Sequence, residues 1–198
     1  MKKYKKFEKG YLTYRKHKLF LNIAVNVISA VSIFVFGLLL NKMQPRNIFS
    51  VLSLLFVLPI GRSLSTLFIL LPYKEMSDES TAKAEESIKT KGILLYSPVF
   101  TSAEDVMHLD LIAVFNGKVL AYKEKTGNSV KNENDYKKKT GKAKAYIDSH
   151  LKTQERKDTI VIFDDMERFI KAFPENKSSD EEMSEIKKIT ESMEYFVV

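Results

Sequence analysis

The sequence predicts an α/β protein in which a two-helix transmembrane hairpin precedes a cytoplasmic mixed-sheet domain. Two apolar stretches of membrane-spanning length occupy residues 19–40 and 48–71. The composition then becomes charged and polar, and helix-forming and strand-forming segments follow in the order αβββαβαα. The expected parts are a basic juxtamembrane segment (residues 1–18), the hairpin (19–73) and the α/β domain (74–198).

The hairpin prediction depends on the length and charge of the two stretches. The first has 22 residues without a charge, and the second has 24 residues interrupted only by Arg62. About 20 apolar residues cross a hydrocarbon core of roughly 30 Å. The connection at residues 41–47 is short and contains Pro45, a helix breaker. The two helices should therefore be antiparallel neighbours, an arrangement that satisfies their backbone groups within lipid.

The distribution of positive charge predicts the orientation. The formal net charge is +7, and residues 1–73 contain eleven Lys or Arg and one acid, Glu8. Eight of the basic residues precede the first span and two lie in the connection. Because Lys and Arg are retained on the cytoplasmic side, both termini should be cytoplasmic in a multi-pass protein of the cell membrane. The residues expected to meet anionic headgroups are Lys2, Lys3, Lys5, Lys6, Lys9, Arg15, Lys16 and Lys18.

The aromatic residues of the basic segment allow two interpretations. Tyr4, Phe7, Tyr11 and Tyr14 have helical spacing and would share one face. That pattern is typical of an interfacial amphipathic helix on anionic lipid. The alternative is that the segment only sets the topology.

Polar residues inside the spans predict a helix contact. Asn22, Asn26, Ser29 and Ser32 form one stripe on the first span, and buried polar groups in lipid need partners. The stripe should face the second span, a membrane-protein partner or another copy of the chain. Arg62 is expected to pair with Asn26 and Ser29, because their depths bracket its own in an antiparallel hairpin.

Local signals divide the remaining residues into elements. A helix is expected over 78–90 and strands over 93–101, 106–115, 118–124 and 159–163, with a hairpin turn at Asn116-Gly117 and a break at Pro98. Further helices are expected over 133–152, 166–173 and 181–196, the last capped by Asp180. A hairpin, a crossover helix and another apolar strand predict a mixed sheet with helices on its faces.

Composition excludes several kinds of site. The chain has no Cys and three His, which rules out disulfides and thiolate metal sites and disfavours a His-rich metal site. Because the excess positive charge flanks apolar segments, nucleic acid is not the expected partner.

Two acids carry a resemblance to a known family. Asp110 lies in HLDLIAVF, and Glu124 follows fourteen residues later in GKVLAYKE. With the element order, this resembles the restriction-endonuclease-like core, and most of all the nuclease-related NERD domains. The resemblance implies a metal-dependent nuclease with Asp110 and Glu124 as catalytic candidates. Glu85 or Glu86 would assist them, and Glu85, Asp110 and Glu124 would hold Mg²⁺. The Lys that the family places two residues after the Glu is replaced by Thr126.

A second resemblance concerns the architecture. Two spans ahead of a small domain are similar to uncharacterised Gram-positive, hence bacterial, membrane proteins labelled O-GlcNAc-transferase-like. The sequence contains neither a helical repeat nor a sugar-nucleotide signature, so that activity is not carried over.

Other polar residues keep two interpretations each. His108 and Asp110 share a strand face and could form an oriented base or a structural pair. Asp164 and Asp165 could bind a metal or cap the next helix. Five lysines could meet an anionic ligand or form a solvated helix face: Lys137, Lys138, Lys139, Lys142 and Lys144.

The favoured function is a membrane-anchored cytoplasmic binding or regulatory module without catalysis or cofactor. The first alternative is a membrane-tethered nuclease, active with Mg²⁺ or surviving as an inactive relic. The second is an accessory subunit of a membrane complex, suggested by the polar stripe. The ligand, the partner and the oligomeric state are not encoded in any motif found here.

Overall fold

The computed structural model describes residues 4–102, 105–125, 133–153, 160–194 and 197. The chain forms two compact units. The helical unit comprises Leu12–Tyr73, and the sheet unit comprises Met1–Tyr11 together with Lys74–Val198.

The helical unit contains two helices long and apolar enough to cross a membrane. The first is α1 (Tyr11–Leu40), and the second consists of α2 (Ile48–Leu55) and α3 (Val57–Leu70), interrupted only at Phe56. Only 6 % of the most apolar window of each helix is buried. The helix α1 begins eight residues before the predicted span, so Arg15, Lys16 and Lys18 belong to its first turns.

The two helices pack against each other in antiparallel directions. Toward the end of the hairpin away from the connection, the Asn22 side-chain amide donates to Ser63 Oγ at 3.0 Å. Near the connection, the rings of Phe36 and Phe49 meet edge to face with centroids 5.8 Å apart. Gly37 permits this approach, because a Cβ at that position would lie 2.3 Å from the Phe49 Cβ.

The sheet unit contains six strands and four helices in the described residues. The strands are β1 (Ile93–Tyr96), β2 (Val99–Thr101), β3 (Val106–His108), β4 (Leu111–Phe115), β5 (Lys118–Tyr122) and β6 (Ile160–Phe163). The helices are α4 (Asp78–Ile88), α5 (Glu133–Thr153), α6 (Met166–Lys171) and α7 (Asp180–Glu194).

The main sheet has the order β1-β4-β5-β6. The first three of these strands are antiparallel neighbours, and β6 runs parallel to β5. The strands β2 and β3 form a separate antiparallel pair. The predicted mixed α/β class, with a long apolar helix pair ahead of a sheet domain, is therefore confirmed.

The element order differs from the prediction because two predicted strands are each divided. The 93–101 segment breaks at Ser97, which has φ +45°, and at Pro98, which has no backbone N–H to donate to a neighbouring strand. The 106–115 segment breaks at Leu109, whose N–H donates to the Pro98 carbonyl at 3.1 Å, outside the main sheet.

Helices cover both faces of the main sheet. Ile112 and Val114 of β4 pack in one cluster with residues of α5 and α7. The alternate residues Leu111, Ala113 and Phe115 pack in a second cluster with α4 and α6. This period of two explains why β4, buried throughout, is uniformly apolar.

The N-terminal segment belongs to this fold, which disagrees with the interfacial helix, one of its two interpretations. Residues 4–10 are not helical. Phe7 is 4 % exposed within the first core cluster, and its carbonyl accepts the Tyr96 N–H at 3.1 Å. Lys6 donates to the carbonyls of Glu194 and Val197 at the end of α7, each at 2.8 Å. Since Tyr4 and Phe7 precede α1, they cannot share a helical face with Tyr11 and Tyr14. Lys2 and Lys3 lie outside the described residues.

Candidate functional site

The candidate site lies where β4 begins and β5 ends. The register pairs Leu111 with Tyr122, and the Asp110 N–H donates to the Tyr122 carbonyl at 3.0 Å. Asp110 is therefore opposite Lys123. The Lys123 ammonium lies 3.3 Å from Asp110 Oδ1 and 3.0 Å from His108 Nδ1. Asp110, Lys123 and His108 are called the polar triad below.

Protein groups occupy both oxygens of the Asp110 carboxylate. Oδ2 accepts the backbone N–H of Glu124 at 2.6 Å, while Oδ1 faces Lys123. The Asp110 side chain is only 11 % exposed, and that of His108 only 3 %. Burial raises the pKa of Asp110 above its usual value, and the Lys123 charge and the Glu124 N–H oppose this rise. Within the triad, Asp110 and Lys123 thus form a largely buried ion pair, in which the Lys123 charge and the Glu124 N–H offset part of the cost of burying the carboxylate.

The sequence contained a signal for Lys123 that the prediction did not use. The two-residue turn Asn116-Gly117 fixes the pairing of Phe115 with Lys118. Counting outward from that pair places Asp110 opposite Lys123. The predicted hairpin did bring Glu124 near Asp110, but it is the Glu124 backbone that makes the hydrogen bond, and the residue is exposed.

A second ion pair lies beside the triad. Lys125 pairs with Asp164 at the end of β6, and its ammonium lies 5.4 Å from the centre of the Tyr136 ring. The Tyr136 hydroxyl donates to the Lys123 carbonyl at 2.9 Å. Lys125 lowers the pKa of Asp164, and burial raises the pKa of Tyr122 to about 12.

Asp165 has the role expected of a helix cap. It is the N-cap of α6, and its Oδ1 accepts the Arg168 N–H at 2.8 Å. Of the two interpretations for Asp164-Asp165, the cap describes Asp165, whereas Asp164 forms the ion pair with Lys125.

Glu85 contacts the N-terminal segment. Lys9 pairs with Glu85 at 3.2 Å and with Asp78 at 2.8 Å. The pKa of Tyr96 is raised by burial and by the nearby Glu85 charge. Glu86 is exposed on α4, and Thr126 lies outside the described residues. Within the described ranges, no group of three or more His, Asp or Glu side chains is placed to hold a metal ion.

Three of the five candidate lysines of α5 form ion pairs on an exposed helix face. Lys137 and Lys139 pair with Glu133 and Asp135, one turn earlier, at 2.9 Å each. Lys142 pairs with Asp105 at 2.5 Å. Exposed pairs of this kind favour the solvated-face interpretation.

The polar residues of the helical unit are arranged differently from the expectation. The Asn26 amide donates to the Asn22 carbonyl at 2.7 Å, and Asn22 donates to Ser63. Ser29 is half-buried, whereas Arg62 is exposed on α3. The expected contact of Arg62 with Asn26 and Ser29 is therefore replaced by an Asn26–Asn22–Ser63 chain.

Comparison with family models, with curated proteins and with solved structures finds no match.

Proposed function

We propose that this protein is a membrane-anchored, non-catalytic binding or regulatory module. The observation that carries the proposal is the Lys123 ammonium beside Asp110, in the position where a metal-dependent nuclease would need a cation.

The anchor is supported by the apolar side chains on the surface of the helical unit. Phe20, Leu39 and Leu58 are 67 %, 70 % and 75 % exposed. Burying one such side chain contributes about 1.5–3 kcal/mol, so leaving a whole set of them in water would be costly. A buried core helix has no such surface. Lipid around both helices removes the cost and leaves the backbone satisfied.

The topology is supported by the packing of Phe7. The segment before α1 and the residues after α3 belong to one folded unit. They must then lie on the same side of a membrane, which requires an even number of crossings. Two crossings by α1 and by α2 with α3 fit this requirement. The Lys and Arg excess ahead of α1 and in its first turns makes that side the cytoplasm.

The absence of catalysis is supported by the polar triad. A two-carboxylate site binds Mg²⁺ through free carboxylate oxygens. Here Lys123 and the Glu124 N–H occupy the oxygens of Asp110, and the ammonium would repel a divalent ion. In this proposal the Asp110–Lys123 pair is structural.

The second candidate is an inactive relic of a restriction-endonuclease-like domain. The sheet favours it, since a helix and three antiparallel strands are followed by a crossover helix and a parallel fourth strand. In this view the ion pair with Lys123 has taken the place of the metal site.

The test uses the full-length chain. In detergent micelles with Mg²⁺ or Mn²⁺, plasmid DNA and RNA should remain intact, and Mn²⁺ should not bind in titration calorimetry. Lys123→Gln, which removes the ammonium, should gain weak Mn²⁺ binding, and Lys125→Gln is the matched control. Cleavage by the wild type that is lost in Asp110→Ala would overturn the proposal. Release of the protein from membranes by alkaline carbonate would overturn the anchor.

A further inference from the structure

We propose that the outer face of α3 beside Arg62 is a docking surface for a transmembrane helix of a different protein, one that carries an Asp or Glu at matching depth. The inference rests on the proposed membrane hairpin and names the class of its partner.

The proposed surface lies opposite the contact within the hairpin. Ser63 is buried, and its hydroxyl accepts the Asn22 amide of α1. At 3.6 residues per turn, Leu58, Gly61, Ser65 and Phe68 fall on the other side of α3. Leu58 is 75 % exposed and Phe68 is 65 % exposed. These four residues and Arg62, at its rim, are called the outer face.

The outer face permits close approach by another helix. A Cβ built on Gly61 meets no atom within 4 Å, and the Ser65 hydroxyl donates to the Gly61 carbonyl at 2.9 Å instead of extending outward. Small residues four apart let membrane helices approach closely. Gly37 of α1 serves the same purpose inside the hairpin, where Phe49 fills the space. The Gly61 position is open.

Arg62 shows what kind of helix fits there. It is the only charge in residues 48–71, and its side chain is exposed. It lies nine residues before Leu71, about 14 Å along the helix at 1.5 Å per residue. A guanidinium at that depth needs a partner. On the facing helix, the Asn26 amide donates to Asn22, and the Asn22 amide donates to Ser63.

A second copy of the chain cannot supply the opposite charge. The sequence contains no Asp or Glu between Glu8 and Glu75, so neither span carries an acid. A carboxylate gives Arg a charge-assisted, bidentate partner. The occupant that fits the outer face is therefore a helix of another membrane protein with an intramembrane carboxylate.

The experiment places a photo-crosslinking amino acid at Leu58 of the full-length chain, in membranes of the cells that make it. Leu39 on α1, 70 % exposed, is the control position. Irradiation should give a heavier adduct from position 58 and not from position 39. The adduct should be lost in Arg62→Leu and kept in Arg62→Lys. Mass spectrometry should place the crosslink in a transmembrane segment with an Asp or Glu, and neutralising that acid should remove the adduct.

Three outcomes would overturn the inference: an adduct containing a second copy of the chain, an adduct unchanged by Arg62→Leu, or crosslinks to lipid alone. Carbonate extraction of the same membranes separates the two proposals. If the protein resists extraction and no Arg62-dependent adduct forms, the docking surface is wrong and the anchor stands. If the protein is extracted, the anchor itself is wrong.

Discussion

At the scale of single residues, Phe7 departs furthest from what its sequence context indicated. Its spacing from Tyr4, Tyr11 and Tyr14 predicted a helical face, but its side chain fills the core of the sheet unit. The signal against a helix was Gly10, which adopts φ +91°, a conformation that glycine favours. Phe7 itself has φ +67°, which is costly for a bulky residue. Only a long-range contact explains that conformation, and sequence spacing does not report such contacts.

Phe7→Ala should destabilise the sheet unit. Truncating a buried Phe costs about 3–5 kcal/mol because a cavity replaces its core contacts. The free energy of unfolding would be measured by denaturant titration of the full-length chain in micelles, followed by tyrosine fluorescence. Phe20→Ala is the control, since Phe20 is 67 % exposed in α1. Equal effects of the two substitutions would contradict the burial of Phe7.

Lys123→Gln should raise the pKa of Asp110 further. Burial already raises this pKa, and Lys123 opposes the rise. A folded-state pKa above the unfolded value means that the folded state binds the proton more tightly. Protonation of Asp110 therefore stabilises the folded state at low pH. That stabilisation is lost as the pH rises through the folded-state pKa of Asp110. Lys123→Gln should move that loss to higher pH.

The measurement is the ¹³C chemical shift of the Asp110 carboxyl group, followed over pH in the full-length protein. Lys125→Gln is the control, because Lys125 pairs with Asp164. An unchanged Asp110 titration in Lys123→Gln would mean that the ammonium does not act on the carboxylate.

At the scale of elements, local signals identified most helices and strands but not how they end. The turn at Asn116-Gly117 and the break at Pro98 are both present in the structure. The predicted cap Asp180 is wrong: it is the first residue of α7, and the hydrogen bonds of the preceding Ser179 make that residue the cap. Ser179 Oγ accepts the Glu182 N–H at 3.3 Å, and Glu182 Oε2 accepts the Ser179 N–H at 2.8 Å. This Ser-x-x-Glu capping box was readable from the sequence, whereas the split of residues 106–115 depends on contacts with the distant Pro98 carbonyl.

Gly37→Leu should disrupt the packing of α1 on α2. A side chain there meets Phe49 Cβ at 2.3 Å and Asn47 Oδ1 at 2.9 Å, and overpacking of this kind costs about 1–3 kcal/mol. The native chain has no cysteine, so Asn22→Cys with Ser63→Cys reports the contact by disulfide formation. Gly37→Leu should slow that reaction. Gly61→Leu is the matched control and should not, because Gly61 faces open space. If Gly37→Leu and Gly61→Leu both slowed disulfide formation, α3 would pack against α1 through its outer face.

At the scale of the whole molecule, the sequence predicted the kind of parts better than their connections. Length and hydropathy identify the two apolar helices because these are properties of contiguous residues. The association of residues 4–10 with the sheet unit joins chain positions almost two hundred residues apart, as in the bonds from Lys6 to Glu194 and Val197. The polar triad was missed for a related reason, since the register across a hairpin decides which side chain faces Asp110. Candidate acids were therefore found by residue type, but their partners were not.

The proposed topology makes a prediction for the complete chain, which single cysteines can test. Because Phe7 packs in the sheet unit, the segments before α1 and after α3 must lie on the same side of the membrane, and the positive charge around α1 favours the cytoplasm. Lys5→Cys and Lys177→Cys, both at exposed positions, should react with an impermeant maleimide only after lysis. Met43→Cys, in the connection and 68 % exposed, should react in intact cells. Labelling of Lys5→Cys and Lys177→Cys from opposite sides would contradict the two-span hairpin and the packing of Phe7 together. Labelling of both in intact cells would keep the hairpin and reverse its orientation, because packing requires only an even number of crossings and charge decides their direction.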